Sequence, residues 1–300
     1  MLGVTILGNN SAVAAYGRHP SSQIVSSREQ LFLIDCGEGT QFQMNDYKIK
    51  RNKISHIFIS HLHGDHYFGL IGLLTSYALL GRTQDLHIYA PAPLQEIIHI
   101  QVNCAGTRFP YDLIFHPITG ASTLVSFDGI TVKSFPTNHR IECYGFVFEE
   151  KRKPRKIIHE KIEEYHVPYN QIEALKSGAD FEKEDGSIIP NAMLTEAAPP
   201  GKKYAYCADT RYDESIVPHI QNADMIYHET TYLRDFKDNA VLRFHSTTHE
   251  AATIAQKANV KKLLIGHFSS KYESLDAFLT EATEVFPQTE LAEEGVSFRI

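Results

Sequence analysis

The sequence predicts an α/β protein, a four-layer αββα sandwich with one flexible arm inserted into it. Apolar runs of strand length alternate with helical patterns and fall into two roughly equal halves, as such a sandwich requires. A polar, charged, Gly- and Pro-punctuated stretch from 151 to 200 breaks that alternation and lacks the apolar content to enter the main core. One apolar run, Ile57 to Ser60, leads into His61-Leu62-His63-Gly64-Asp65-His66 and then into the apolar Phe68 to Leu80, which reads as strand, ligand loop and helix. The 300 residues fit a single α/β domain, 1–300, with 151–200 as the insertion.

Composition narrows the function. A net charge of −7 is not that of a protein that coats nucleic acid nonspecifically, so any RNA contact must be a local basic patch. Cys36, Cys104, Cys143 and Cys207 are widely separated with no C-x-x-C, which points to reduced thiols and a cytoplasmic location rather than a disulfide framework. No signal peptide is expected at the strand-like Met1 to Gly8. No segment reads as a membrane span, because Leu70 to Leu80 falls short of the roughly 20 residues a bilayer needs.

Taken in order, Leu2 to Leu7 is a first strand and Gly8-Asn9-Asn10-Ser11 a turn, followed by the loop Gly17 to Ser22. Leu31 to Ile34 is a buried strand that runs through Asp35 into a Gly-rich turn. Tyr47 to Lys53 holds four cations, either a solvated loop or a contact for RNA phosphates. In the HxHxDH loop, side chains at i, i+2, i+4 and i+5 converge only where the chain bends, with Gly64 supplying the freedom to bend. Imidazoles and carboxylates are the donors of zinc and similar metals, and two clusters of them suggest a pair of ions. Leu86 to Ala90 is a strand, Pro93 to Cys104 a helix with Pro in its first turn, and Leu113 to Ile118 a strand. His87, His99 and His116 lie in these elements without an evident companion and read as structural. Ile130 to Pro136 and Lys203 to Thr210 are strands on either side of the arm, and Asp224 to Thr231 is another. Thr247 and Glu250 form a capping box before the helix Ala251 to Ala258. Lys261 to Gly266 is a strand, Ser274 to Phe286 an amphipathic helix, and Val296 to Phe298 a closing strand.

HxHxDH after an apolar strand is the signature of the metallo-β-lactamase superfamily, and Ile57 to His66 in full resembles its tRNA 3′-processing branch, ribonuclease Z. Further motifs carry the resemblance: Asp35-Cys-Gly-Glu-Gly, the lone His139 before Tyr144-Gly145-Phe146, Asp209-Thr210, His228-Glu229-Thr230-Thr231, Phe244-His245-Ser246-Thr247 and Ile265-Gly266-His267. Most other branches lack both the His228-Glu229 and the His245-Ser246 motifs. The resemblance implies two zinc ions, with manganese or iron fitting the same donors. His61, His63 and His139 would hold one ion and Asp65, His66 and His267 the other, with Asp209 bridging and Asp35 orienting the loop from behind.

Asp65 would also accept the attacking water's proton, and His245, polarised by Glu229, would protonate the departing 3′ oxygen. The substrate implied is precursor tRNA, cut to leave a 3′ hydroxyl on the tRNA and a 5′ phosphate on the trailer. The arm, with Lys151-Arg-Lys-Pro-Arg-Lys156 at its base, is similar in position, length and charge to the one with which bacterial members clasp tRNA. Pro168-Tyr169 stands where the usual Gly-Pro pair is missing, and residues 79–85 are shorter than the family's phosphate loop. The resemblance also implies a homodimer and places Arg18, Ser21 and Ser22 near the RNA end, where an ordinary solvated loop is the other reading. Another hydrolase of the superfamily, a small-molecule phosphodiesterase or lactonase, would keep the seven ligands yet need neither the arm nor the Glu229–His245 pair. A nonenzymatic RNA-binding or scaffold protein would have lost ligands.

Overall fold

The structure is a computed structural model and describes residues 2–127, 129–151 and 153–300. The first strands are β1 (Leu2–Gly8), β2 (Ser22–Ser27), β3 (Gln30–Ile34), β4 (Ile54–Phe58), β5 (Leu86–Ala90) and β6 (Leu113–Pro117). Then come β7 (Ser122–Phe127), β8 (Ile130–Pro136) and β9 (Tyr144–Glu150), and in the arm β10 (Lys156–Ile157), β11 (Phe181–Glu182), β12 (Ile188–Ile189) and β13 (Thr195–Glu196). The last are β14 (Lys203–Cys207), β15 (Met225–Glu229), β16 (Leu263–Gly266), β17 (Thr289–Leu291) and β18 (Ser297–Arg299). The helices are α1 (Thr40–Asp46), α2 (Gly64–Tyr67), α3 (Leu70–Leu79), α4 (Pro93–Cys104), α5 (His159–Glu164), α6 (Ile172–Lys176), α7 (Asn191–Leu194), α8 (Val217–Ile220), α9 (Lys237–Arg243), α10 (Thr248–Lys257) and α11 (Asp276–Val285).

One seven-stranded sheet runs β18-β1-β2-β3-β4-β5-β6 and the other β17-β16-β15-β14-β9-β8-β7. Strand alternation sorts the side chains into layers. Phe32 and Ile34 of β3 and Tyr204 and Tyr206 of β14 share one core between the sheets. Leu33 and Ile57 pack outward on Leu70, Leu73 and Leu74 of α3 and Leu94 of α4. Ala205 and Ile226 pack outward on Ala252 and Ala255 of α10 and Phe278 of α11. These three cores are the αββα layers. The two halves exchange one strand, because β18 returns to pair antiparallel with β1 of the first sheet. The capping box at Thr247 and Glu250 opens α10 as the sequence predicts.

The chain divides into two compact units, 1–149 with 202–300, and 150–201. The second is more structured than a polar arm implies: Val167, Leu175, Phe181 and Leu194 bury one another, and Asn191 Nδ2 donates to the carbonyls of Leu175 and Ala179 at 2.8 and 2.6 Å. Of the basic run at its base, Arg152 lies outside the described residues.

The ligand loop is fastened to the turn after β3 by backbone contact. Cys36 N donates to His66 O at 2.7 Å and Gly69 N to Cys36 O at 2.9 Å. A Cβ on Gly69 would stand 2.2 Å from Gly37 O, a backbone atom with no room to retreat. Gly69→Ala is therefore expected to cost about 1–3 kcal/mol as an overpacking strain. Chemical denaturation of the metal-free protein checks this, and unchanged stability would show the approach to be slack.

Candidate metal centre

The site forms where the parallel strands of both sheets end, the usual place for ligands in such sheets. β4 delivers the loop with His61, His63, Asp65 and His66, and the β8–β9 connection delivers His139. β14 runs on to Asp209, β15 ends at Glu229, the α9–α10 connection carries His245, and β16 runs on to His267.

Donor atoms of His61, His63, His139 and Asp209 lie within 4.8 Å of one another, as do those of Asp65, His66 and His267. In the first group, His63 Nδ1 stands 3.1 Å from both His61 Nε2 and His139 Nε2. In the second, His267 Nε2 stands 3.4 Å from both His66 Nε2 and Asp65 Oδ2. Asp209 divides its carboxylate between them. Its Oδ2 is 3.5 Å from His61 Nε2, whereas its Oδ1 is 3.5 Å from His66 Nε2 and 3.3 Å from His267 Nε2.

Each inward nitrogen is aimed by what holds the other side of its ring. Asp35, fully buried, takes His66 Nδ1 at 2.7 Å and Ser60 Oγ at 2.9 Å on Oδ2, and Ser60 N at 2.7 Å on Oδ1. Ser60 Oγ in turn lies 3.0 Å from His61 Nδ1, so one carboxylate orients a histidine of each group. Phe244 O accepts from His139 Nδ1 at 2.9 Å. Thr231 Oγ1 meets His267 Nδ1 at 2.9 Å and donates to Glu229 Oε2 at 2.8 Å. Asp35, Phe244 and His267 have φ of 53°, 59° and 61°, a left-handed backbone that the surrounding contacts must hold in place.

Burial lowers the pKa of His61, and likewise of His63 and His139, keeping them neutral and able to bind metal. His66 is driven the other way: burial opposes its charge, but Asp209, Asp65 and Asp35 outweigh it. Asp209 and Asp65 are held well below the ordinary carboxylate range, burial being overcome by the surrounding histidines. Among the described residues, the ion pairs of Asp35, Asp65, Asp209 and Glu229 are all with histidines, an excess of buried acid that suits divalent cations. Imidazole and carboxylate donors converging from several elements fit a metal pair well.

His245 Nδ1 lies 3.0 Å from Glu229 Oε1, and its side chain is 14% exposed, at the rim rather than the floor. Burial opposes its charge, yet Glu229 raises its pKa to about 9. Glu229 Oε1 also accepts from Ser246 N at 2.9 Å.

Several expectations change. Ser21 and Ser22 are buried, and Ser22 Oγ donates to Asp35 O at 3.1 Å. Arg18 is committed to the carbonyls of Glu273, at 2.8 Å, and Tyr272. Arg18 and Ser22 are thus engaged by backbone carbonyls, whereas Ser21 Oγ is buried without a hydrogen-bond partner. Lys50, Arg51 and Lys53 line a cleft of about 1020 Å³ with Arg82, Tyr77 and Phe127, before β4 and so at its far end from the ligand loop. Gly64 does not have a positive φ; a Cβ there would meet the Phe68 ring at 2.2 Å, so room rather than freedom is what it gives. His87 and His116 do have companions: they meet at 2.9 Å, and His87 stacks on His56. His99 meets the edge of Phe115, at 5.7 Å between ring centroids. Ser60, Thr231 and Phe244, which aim three imidazoles, lie within the quoted motifs, but the sequence alone assigns them no role.

Comparison with known proteins finds relatives along the whole chain. The family described as Anti-Pycsar protein Apyc1 matches residues 2–154, a span that holds the ligand loop and His139 but stops before Asp209, Glu229, His245 and His267. A Ribonuclease Z of Bacteroides thetaiotaomicron is 44% identical, covering 98% of this chain and 94% of its own. One from Parabacteroides distasonis is 43% identical and covers 99% and 98%. Human tRNase Z, short form, superposes with a TM-score of 0.73 at 25% identity over 99% of each chain. The metallo-β-lactamase fold protein YhfI of Bacillus subtilis gives 0.70 at 21% identity over 99% of this chain and 98% of its own, a likeness of fold alone.

Two facing sheets with histidine and aspartate loops at one end make this a metallo-β-lactamase-fold protein. Within that class the chain belongs to the ribonuclease Z family, and over residues 2–154 it also falls within the family described as Anti-Pycsar protein Apyc1.

If Asp209 serves both donor groups, Asp209→Ala is expected to lower the metal content below two ions per chain and to remove activity. Elemental analysis after gel filtration checks this. Full occupancy with activity retained would contradict the division of its carboxylate.

Proposed function

We propose that this chain is a zinc-dependent endoribonuclease that removes the 3′ trailer from tRNA precursors, leaving a 3′ hydroxyl on the tRNA and a 5′ phosphate on the trailer. The observation that carries the reading is the His245–Glu229 pair at the rim of the donor groups. A superfamily hydrolase acting on an activated small ester needs no such pair, because its leaving group departs unaided. The 3′ oxygen of a ribose is a poor leaving group and needs a proton.

His61, His63 and His139 would hold one zinc and Asp65, His66 and His267 the other, with Asp209 shared. When bound, two dications at these residues would lower the pKa of a water and stabilise negative charge on the phosphate. Asp65, ionised and at the edge of its group, accepts the water's proton. His245 carries a proton on arrival, since Glu229 favours its charged form, and gives it to the departing oxygen. Glu229 has a second task here: through Thr231 it also steadies His267. Glu229→Gln should therefore disturb metal retention as well as protonation.

Substrate grip and assembly belong to the same reading. The arm would contact the tRNA body with Lys151, Lys153 and Lys156, while Arg155 is occupied by Thr195, to whose Oγ1 it donates at 2.6 Å. Tyr169 is 91% exposed, an aromatic face open to a base. Phe42, Phe68 and Leu79 are exposed on α1 and beside and on α3, helices joined by Ser76 Oγ donating to Gln41 Oε1 at 2.7 Å. Uncovered apolar groups of this kind support a homodimer. The cysteines are unpaired and no helix among the described residues is long and apolar enough to cross a membrane, in keeping with a cytoplasmic enzyme.

His245→Ala should slow cleavage of precursor tRNA by about 10²–10⁴-fold, the range for a lost general acid, with both metals retained. Hydrolysis of bis(p-nitrophenyl) phosphate, whose leaving group needs no proton, should fall much less. On tRNA the wild-type rate should decline on the alkaline side as His245 loses its proton, and the variant should lack that limb. Equal loss on both substrates, or loss of a metal, would make His245 a ligand instead.

Deleting residues 152–198 and rejoining the chain should weaken precursor binding and leave the small phosphodiester reaction largely intact. Equal impairment of both would make the arm structural and remove it from RNA recognition.

A further inference from the structure

The strand that leads to Asp209 carries two buried tyrosines, at 204 and 206, on its inward face, and each reaches across to the opposite sheet. Tyr204 Oη donates to Gln23 Oε1 at 2.5 Å and Tyr206 Oη to Asp35 Oδ2 at 2.7 Å. The two bonds are alike in kind: a fully buried phenol of β14, a side-chain oxygen of the first sheet, and no water between. They differ in what lies beyond the acceptor. Gln23 sits within β2, whereas Asp35 holds His66 Nδ1 at 2.7 Å.

The Tyr206 bond closes a circuit. From its phenol the path runs to Asp35, through His66 to Asp209 Oδ1 at 3.5 Å, and back along three residues of chain to Tyr206. Two of its members come from the first sheet and two from the second. The ring of Tyr206 has no freedom to drift, because Tyr227 stacks on it at 5.1 Å between centroids, 15° from parallel. Asp35 then receives four donors, Ser60 N, Ser60 Oγ, His66 Nδ1 and Tyr206 Oη, and the phenol is the one that comes from the second sheet.

We propose that Tyr206 is a positioning residue of the metal centre, acting through Asp35 to hold the His66 imidazole against Asp209 and to set the two sheets at the spacing the donor groups need. Tyr204, making the same kind of bond away from the metals, only joins the sheets. The inference rests on the metal reading of the site, which wild-type zinc binding tests separately.

Tyr206→Phe and Tyr204→Phe each delete one hydroxyl and keep the ring, so the pair separates positioning from sheet adhesion. Zinc affinity is measured for both variants and the wild type by competition with a chromophoric chelator, beside the melting temperature of each metal-free protein. Both variants should melt at similarly reduced temperatures. Tyr206→Phe alone should bind zinc about 10–100-fold more weakly, the usual effect of losing a group that orients a ligand. Equal zinc affinity in the two variants, or a Tyr206→Phe protein that fails to fold while Tyr204→Phe folds, would overturn the proposal by making the phenol structural. A wild-type protein that binds no zinc would instead refute the metal reading itself.

Discussion

A carboxylate with no exposure to water, that of Asp35, must find all its partners inside the protein, and the arrangement of the site follows from where those partners are. Burying an isolated charge costs several kcal/mol, and a hydrogen bond to a charged group returns about 1.5–3 kcal/mol, so two or three donors roughly balance it and the fourth makes it secure. Those four come from Ser60 twice, His66 and Tyr206. Satisfying Asp35 therefore places the start of the ligand loop, one imidazole at its end, and the strand that brings Asp209. The left-handed backbone at Asp35 is tolerated because this network holds it.

Glu229 plays the matching part on the second sheet. Its Oε2 is taken by Thr231 N at 2.9 Å and Thr231 Oγ1 at 2.8 Å, its Oε1 by Ser246 N and His245 Nδ1. Two buried acids set behind the donor groups, Asp35 and Glu229, thus aim His61, His66, His245 and His267, directly or through Ser60 and Thr231, while Phe244 aims His139 with a backbone carbonyl. The division makes chemical sense. Acids within the donor groups would supply charge for cations, and acids behind them supply geometry.

Much of this was legible in the sequence because the chemistry sits in local strings. HxHxDH after an apolar run, and Asp209 and His267 each at the end of a strand-like segment, marked residues that the structure brings together, and the resemblance added His139 and His245. Apolar periodicity likewise located β3, α4, α10 and α11 to within a few residues. What escaped has a physical pattern. β2 and β7 are short and rich in Ser, so their place depends on pairing with neighbours rather than on their own composition. The arm's small core is made of four scattered apolar residues in a charged segment. Tyr206 looks like any core tyrosine until its hydroxyl is seen to cross between sheets. Arg18 looks like a phosphate ligand until its guanidinium is found on two backbone carbonyls. Side-chain partners at long sequence separation leave no trace in one sequence.

The central claim is that two sheets assemble a metal centre that cuts RNA and protonates the 3′ oxygen it releases. It is tested most directly by incubating the zinc-loaded protein with a tRNA precursor carrying a short 3′ trailer and determining the new ends by mass spectrometry. The account predicts one cut at the tRNA–trailer junction, a 3′ hydroxyl on the tRNA, a 5′ phosphate on the trailer, and no reaction after chelation. A 2′,3′-cyclic phosphate at the cut, or cleavage that survives removal of metal, would contradict it.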